Sequence, residues 1–113
     1  MNLEVIRGVY KRKSQEREKY RKNFIDEVFK ALEKLTKEVF FEEAYIFGSL
    51  TKPYQFGKRS DVDLAFKGLD KDKLFITISH LSLELGRDVN VVAIDDVHFK
   101  DKILREGIKW RKY

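Results

Sequence analysis

Two short motifs, each joined to a run of apolar residues, constrain this chain more than any other feature. Gly48-Ser49 follows the apolar run 44–47, and Asp61-Val62-Asp63 opens the run that continues to Phe66, with eleven residues between the motifs. Each run is typical of a buried strand. A small-residue turn after a strand offers backbone N–H groups to phosphate oxygens. Alternation along a strand places Asp61 and Asp63 on one face, where paired carboxylates suit Mg²⁺. The sequence therefore predicts a phosphate-binding turn beside a metal-binding pair.

Length and composition exclude several classes of protein. A chain of 113 residues suits one core, so we expect residues 1–113 to form a single domain. The pattern leaves residues 1–13 unassigned, either as a flexible lead-in or as a partner-binding arm. The chain has no cysteine, no apolar run of about eighteen residues and no secretory-signal pattern, so we expect a cytoplasmic protein. The net charge of +5 suits nucleotides or RNA, although a solvated surface explains it better.

Hydrophobic periodicity predicts an α/β domain in which a small mixed sheet packs against helices. A long helix is expected from Ser14 to about Glu38, because apolar residues recur there at spacings of three and four. Lys52 to Arg59 should form an exposed loop, since it contains the only proline and a glycine. The remaining elements are strands at about 44–47, 61–67 and 88–94, a turn from Ser49, helices at about 70–85 and 97–105, and a short edge strand at 108–110.

The two motifs also resemble those of a known superfamily. Residues 45–50, Tyr-Ile-Phe-Gly-Ser-Leu, and residues 60–65, Ser-Asp-Val-Asp-Leu-Ala, are similar to the nucleotidyltransferases that include DNA polymerase β and poly(A) polymerases. The chain more closely resembles the stand-alone minimal nucleotidyltransferases (MNT proteins), through the further segments 85–92 and 103–108. The resemblance covers about residues 20–112. It implies an α+β fold with a polymerase-β-like nucleotidyltransferase core.

The resemblance also implies an activity and a partner. In such enzymes a nucleophile attacks the α-phosphate of a nucleoside triphosphate, and pyrophosphate leaves. Gly48 and Ser49 would hold the triphosphate, Lys52 would lie near its phosphates, and Asp61 and Asp63 would hold one or two Mg²⁺ ions. Stand-alone members pair with a HEPN-domain protein encoded nearby. There the MNT protein is the antitoxin of a toxin–antitoxin system and, in known cases, transfers AMP from ATP to a tyrosine of the toxin.

One position departs from the family pattern. The family takes a third carboxylate from a later strand, and the matching run here, residues 89–92, places Asn90 at that position. An amide oxygen coordinates a metal but carries no charge and accepts no proton at neutral pH. Asp88 lies on the same strand face, about 6.6–6.8 Å away, and would need a register shift or a bulge to substitute. The alternative to an enzyme is therefore a binding module with a weakened site that neutralises its partner by complex formation. RNA binding, which rests on charge alone, is favoured least.

Overall fold

A computed structural model describes residues 3–111, which form three α-helices and a four-stranded sheet. Turns of 3₁₀-helix occur at Gly48–Thr51, Lys71–Lys73 and Ile94–Asp96. The helices and strands, in chain order, are α1 (Leu3–Leu35), β1 (Glu43–Phe47), β2 (Val62–Lys67), α2 (Leu74–Leu85), β3 (Val89–Ala93), α3 (Lys100–Glu106) and β4 (Ile108–Arg111).

The sheet is mixed, as predicted, with the strand order β3-β2-β1-β4. The central strand β1 runs antiparallel to both β2 and β4. Strands β2 and β3 are parallel, because α2 carries the chain back to the starting end of the sheet. This parallel pair is important for the site, since residues at equal positions in the two strands lie side by side.

The two faces of the sheet pack against different helices. Strand alternation sends Val62, Leu64 and Phe66 into the larger core, together with buried residues of α1 and α2. Ala65 and Tyr45 point to the opposite face, where they pack with Ile103 of α3 in a smaller cluster. Asp63 belongs to this second face by the same alternation.

Helix α1 confirms the predicted apolar stripe but not its predicted ends. Phe24, Val28, Leu32 and Leu35 are buried in the larger core. The helix begins at Leu3, not at Ser14, and ends at Leu35 rather than near Glu38. The first turns gave no periodic signal because the side chains of residues 3–13 are all exposed. Lys, Arg and Glu favour helix there, and a serine is tolerated within it.

Other predicted boundaries moved by a few residues. Asp70 caps the 3₁₀ turn that precedes α2 by accepting the N–H of Asp72 at 3.2 Å, and Gly86 ends α2 in a left-handed conformation. Helix α3 starts at Lys100 instead of Val97. The loop 52–59 is not exposed throughout, because Phe56 is fully buried in the larger core. None of the helices within residues 3–111 has the length and apolar content needed to cross a bilayer.

Candidate functional site

The Gly48–Thr51 segment forms the turn that the sequence predicted at the end of β1. Gly48 has a φ of 77°, in the left-handed region that glycine adopts without steric penalty. The Thr51 hydroxyl donates a 2.7 Å hydrogen bond to the Gly48 carbonyl, and the Lys52 N–H donates to the Ser49 carbonyl at 3.1 Å. The first N–H groups of a helical turn have no acceptor within it. The turn therefore supplies backbone donors beside β2.

Gly48 lies directly against the carboxylate of Asp63. A Cβ atom built on Gly48 would lie 2.3 Å from Oδ2 of Asp63, closer than any real contact. Phe47 and Asp63 are also register partners in the antiparallel ladder, so their side chains share a sheet face. The positive φ thus favours glycine at this position, and any larger residue would also have to move the Asp63 carboxylate.

Asn90 completes the row of polar side chains at this point of the sheet. It is the register partner of Asp63 in the parallel ladder, and its Nδ2 donates a 3.0 Å hydrogen bond to Oδ1 of Asp63. Asp63 is half-buried, whereas Asn90 is exposed. The structure therefore places Asp63 in contact with both Gly48 and Asn90, and all three residues were named from the sequence.

Asp61 and Asp88 lie just before the parallel strands begin. Both are exposed, and both line a polar cleft of about 570 Å³ that also contains Lys58, Arg59 and Arg87. The ladder from Val62 to Phe66 pairs with β3 in one continuous register, without the shift or bulge that would bring Asp88 beside Asp63. Asp88 instead contributes a backbone carbonyl, which accepts the N–H of Val62 at 3.0 Å.

The oxygen donors named from the sequence have the chemistry that Mg²⁺ prefers, although Asp61 precedes β2 and lines the polar cleft, whereas Asp63 and Asn90 lie side by side on the strands. No group of three or more His, Cys, Asp or Glu side chains in residues 3–111 is arranged to hold a metal. Two carboxylates, Asp61 and Asp63, and the amide oxygen of Asn90 are hard oxygen donors of the kind that Mg²⁺ prefers. Mg²⁺ commonly takes one or two carboxylates and fills its other positions with water and substrate phosphates.

A second, mostly apolar cleft adjoins the turn. It has a volume of about 350 Å³ and includes Gly48 in its wall. Lys52 is exposed and lines this cleft, whereas Lys58 and Arg59 line the polar cleft instead. The other residues of the apolar cleft come from the end of β1, the turn and the α3 region: Phe47, Thr51, Phe99, Lys102, Ile103, Glu106 and Gly107.

Arg21 of α1 anchors the turn, a role that the sequence did not reveal. It is buried, and its Nη1 donates a 3.0 Å hydrogen bond to the carbonyl of Leu50. Its Nε and Nη2 donate to Glu18, whose Oε1 also accepts the N–H of Tyr54 at 2.6 Å. The Arg21 guanidinium, followed by the Tyr54 N–H, holds the pKa of Glu18 below its ordinary value. Tyr54 itself has a φ of 65°, so Glu18 secures a strained residue.

Arg87 anchors the other end of the same loop. Its Nη1 donates 2.8 Å hydrogen bonds to the carbonyls of Gly57 and Ser60, just before Asp61. The guanidinium also lies over the rings of Phe24 and Phe56, at 4.6 and 4.5 Å from their centroids. The loop between the two motifs is therefore held by an arginine at each end. The sequence contains one signal of this arrangement, the charged residue Arg21 within the apolar stripe of α1.

Comparisons with known proteins bear on the fold. No protein-family model matches the chain, and no curated protein matches it. The solved structures that resemble it include the following three. A toxin–antitoxin solved with AMP-PNP has 22% identity and a TM-score of 0.61, over 74% of this chain and 73% of the other. A MntA–HpeT toxin–antitoxin with two Asp-to-Glu changes has 20% identity and a TM-score of 0.60, over the same shares of the two chains. A proposed nucleotidyltransferase from Sulfolobus solfataricus has 22% identity and a TM-score of 0.52, over 88% and 87%.

These structural similarities, with TM-scores of 0.52–0.61, show the fold of this chain. The chain has the mixed sheet and helices of a nucleotidyltransferase fold, as the sequence predicted. The polar row formed by Gly48, Asp63 and Asn90 lies at one end of that sheet, and Gly48 also lines the apolar cleft.

Proposed function

We propose that this chain is a Mg²⁺-dependent nucleotidyltransferase that transfers AMP from ATP to a partner protein in the cytoplasm. The packing of Gly48 against Asp63, with Asn90 alongside, supports this most strongly. It combines a turn suited to phosphate with oxygen donors suited to the metal. The partner that we propose is the HEPN-domain toxin of a toxin–antitoxin pair, with this chain as the antitoxin. The likeness to toxin–antitoxin structures, one solved with AMP-PNP, favours that context.

The reaction proposed is a displacement at the α-phosphorus of ATP. An acceptor hydroxyl, such as a tyrosine of the partner, forms an O–P bond while the bond from the α-phosphorus to the bridging oxygen breaks. Pyrophosphate carries away that electron pair, and the hydroxyl proton passes to water. Such transfers depend on positioning and charge neutralisation more than on covalent help from the protein.

Each named residue has a role in that scheme. The backbone and hydroxyl of Ser49, with Lys52 nearby, bind the triphosphate, and Gly48 allows it to approach the turn. Asp61 and Asp63 hold Mg²⁺, with Asn90 as a neutral third donor. When bound, the metal neutralises the charge that develops on the phosphate oxygens.

The test is transfer of label to the protein encoded next to this chain. The purified pair is incubated with Mg²⁺ and α-labelled ATP, and label on the partner is followed by gel and mass spectrometry. We expect Asp61→Ala combined with Asp63→Ala to abolish labelling. Asp26→Ala combined with Asp101→Ala removes the same charge at exposed positions on α1 and α3 and should leave labelling intact. Wild-type protein that transfers no label would disprove the proposal.

A second candidate is a binding module without turnover. The observation that favours it is Asn90, since an amide at this position provides neither the charge nor the proton acceptor of a carboxylate. This candidate predicts that the Asp61→Ala, Asp63→Ala variant still neutralises the partner completely in a growth assay. The enzymatic proposal predicts that neutralisation is lost with the label.

A further inference from the structure

We propose that the apolar cleft beside Gly48 holds the base and ribose of the nucleotide. This inference rests on the proposed function, and it assigns the part of the substrate that the phosphate and metal sites leave unplaced. The cleft has a volume of about 350 Å³. Sites for small molecules typically measure about 300–1,000 Å³ and have mostly apolar walls with a few polar groups.

The walls of the cleft suit a flat aromatic group. Phe47 and Phe99 contribute rings whose centroids are 5.7 Å apart and whose planes are inclined by 49°. Ile103 also lines the cleft and is buried. Every nucleobase has a flat π-face and can stack on an aromatic side chain, whichever base it is. Phosphate oxygens, in contrast, gain nothing from such walls.

The cleft adjoins both the turn and the sheet face that carries Asp63. Phe47 is the register partner of Asp63, so the cleft and the carboxylate share a face of the sheet. Gly48 lies between them, in contact with Asp63 and in the wall of the cleft. A triphosphate bound at the turn therefore has its nucleoside next to the two phenylalanine rings.

The other cleft at the site has the wrong chemistry for a base. Its lining within the described residues carries charged side chains from the loop, from Asp61 and from Arg87 and Asp88, and it contains no aromatic ring. Of these two clefts, the apolar one therefore provides the aromatic rings on which a base can stack. We accordingly place the base in the apolar cleft.

The rim of the apolar cleft supplies the polar contacts. Lys102 and Glu106 are four residues apart on α3, and both line the cleft, as Lys52 does. A carboxylate there accepts hydrogen bonds from the N–H groups of a base, and the ammonium groups suit ribose oxygens and the α-phosphate. Gly107 lets the end of α3 lie close to β1, because a Cβ at this position would lie 3.1 Å from the carbonyl oxygen of Ile46.

The experiment compares two ligands that share phosphates but differ in the base. ATP and inorganic tripolyphosphate are titrated, each with Mg²⁺, into wild type and Phe99→Ala by calorimetry. We expect Phe99→Ala to weaken ATP binding about tenfold and to leave tripolyphosphate binding unchanged, as loss of one stacking contact predicts. Phe75→Ala, the same change at an exposed position of α2, should alter neither.

The remaining outcomes separate this inference from the proposed function. Equal ATP binding by wild type and Phe99→Ala would overturn the cleft assignment alone, as would equal weakening of both ligands. Wild type that binds neither ligand would overturn the proposed function as well. If Phe99→Ala unfolds, nuclear Overhauser effects between the adenine protons and the Phe99 ring of wild type decide. Their presence supports the assignment, and their absence in saturated complex overturns it.

Discussion

The side-chain amide of Asn90 donates a 3.0 Å hydrogen bond to Oδ1 of Asp63 across the parallel strands β3 and β2. A carboxylate in place of the amide would face Asp63 with a like charge, and that repulsion is relieved only by a cation or a proton. The amide thus stabilises the site when no metal is bound, but it lacks the negative charge that would help to bind one. We therefore expect residue 90 to set the balance between stability and metal affinity at the proposed site.

Asn90→Asp should strengthen Mg²⁺ binding while it weakens the metal-free protein. We expect about a tenfold gain in Mg²⁺ affinity from the added carboxylate. The lost hydrogen bond and the new repulsion should cost about 1 kcal/mol of the free energy of unfolding without metal. Calorimetric Mg²⁺ titration and thermal unfolding with and without Mg²⁺ measure the two effects.

Asn90→Ala is the matched control for this exchange. It removes the same hydrogen bond to Asp63 but adds no charge, so its Mg²⁺ affinity should not rise above that of wild type. Identical Mg²⁺ affinity in Asn90→Asp and wild type would show that residue 90 does not face the metal.

Gly48→Ala should destabilise the protein and distort the site. An alanine held at this φ of 77° loses about 1–2 kcal/mol of the free energy of unfolding. Its Cβ would also overlap Oδ2 of Asp63, so that the carboxylate must move. Chemical denaturation measures the loss. Combining the change with Asp63→Ala removes the collision but not the φ penalty, so the double variant should recover about 0.5 kcal/mol or more relative to additivity.

Gly8→Ala controls for the change of glycine to alanine itself. Gly8 lies within α1, and a Cβ there meets nothing within 4 Å. We expect this variant to be more stable than wild type by about 0.5–1 kcal/mol. Equal stability of Gly48→Ala and wild type would contradict the close approach to Asp63.

The parts of the site predicted from sequence are those that local rules determine. Strand alternation places Asp63 on a face, and the glycine after β1 indicates the turn, so both follow from neighbours in the chain. Asn90 was placed beside them by the resemblance to a family, and the parallel ladder brings it there.

The parts that were missed depend on contacts between residues far apart in the chain. Arg21 reaches Leu50 across 29 positions, and Arg87 reaches Gly57 across 30, so neither pairing leaves a periodic trace. Phe56 lies in a segment whose proline and glycine indicate an exposed loop. The Phe56 ring is nevertheless buried in the larger core, with the Arg87 guanidinium over it. The start of α1 was missed because its first turns have no buried face.

Arg21→Met should loosen the turn that carries Gly48 and Ser49. The change keeps much of the apolar stem but leaves the Leu50 carbonyl without its donor and Glu18 without its cation. An unsatisfied buried carbonyl costs about 1–3 kcal/mol of the free energy of unfolding. Denaturation measures that loss, and amide exchange at residues 48–54 should accelerate beyond the global change.

Lys22→Met provides the comparison for Arg21→Met. Lys22 is exposed at the next position of α1. Its replacement should change the free energy of unfolding by no more than about 0.5 kcal/mol and should not accelerate amide exchange at residues 48–54. If Arg21→Met were as stable as Lys22→Met, the hydrogen bond from Arg21 to Leu50 would not contribute to the stability of the fold.

Glu18 should make the loop sensitive to acid. The Arg21 guanidinium and the Tyr54 N–H lower the pKa of Glu18 in the folded protein. Because the folded-state pKa lies below the unfolded value of about 4.3, the stabilisation is complete above that value. It is lost as the pH falls through the folded-state pKa. The amide shift of Tyr54, followed by NMR, should titrate with a midpoint below 4.3.

Glu18→Gln should reduce the loss of stability between neutral pH and about pH 3, because glutamine carries no titrating charge. It should also lower stability at neutral pH, where the ionised carboxylate pairs with Arg21. Glu16→Gln, at an exposed position one residue before Arg17 on the same helix, should leave the acid limb of the stability curve unchanged. Thermal unfolding across this pH range tests all three proteins, and parallel curves for wild type and Glu18→Gln would refute the role of Glu18.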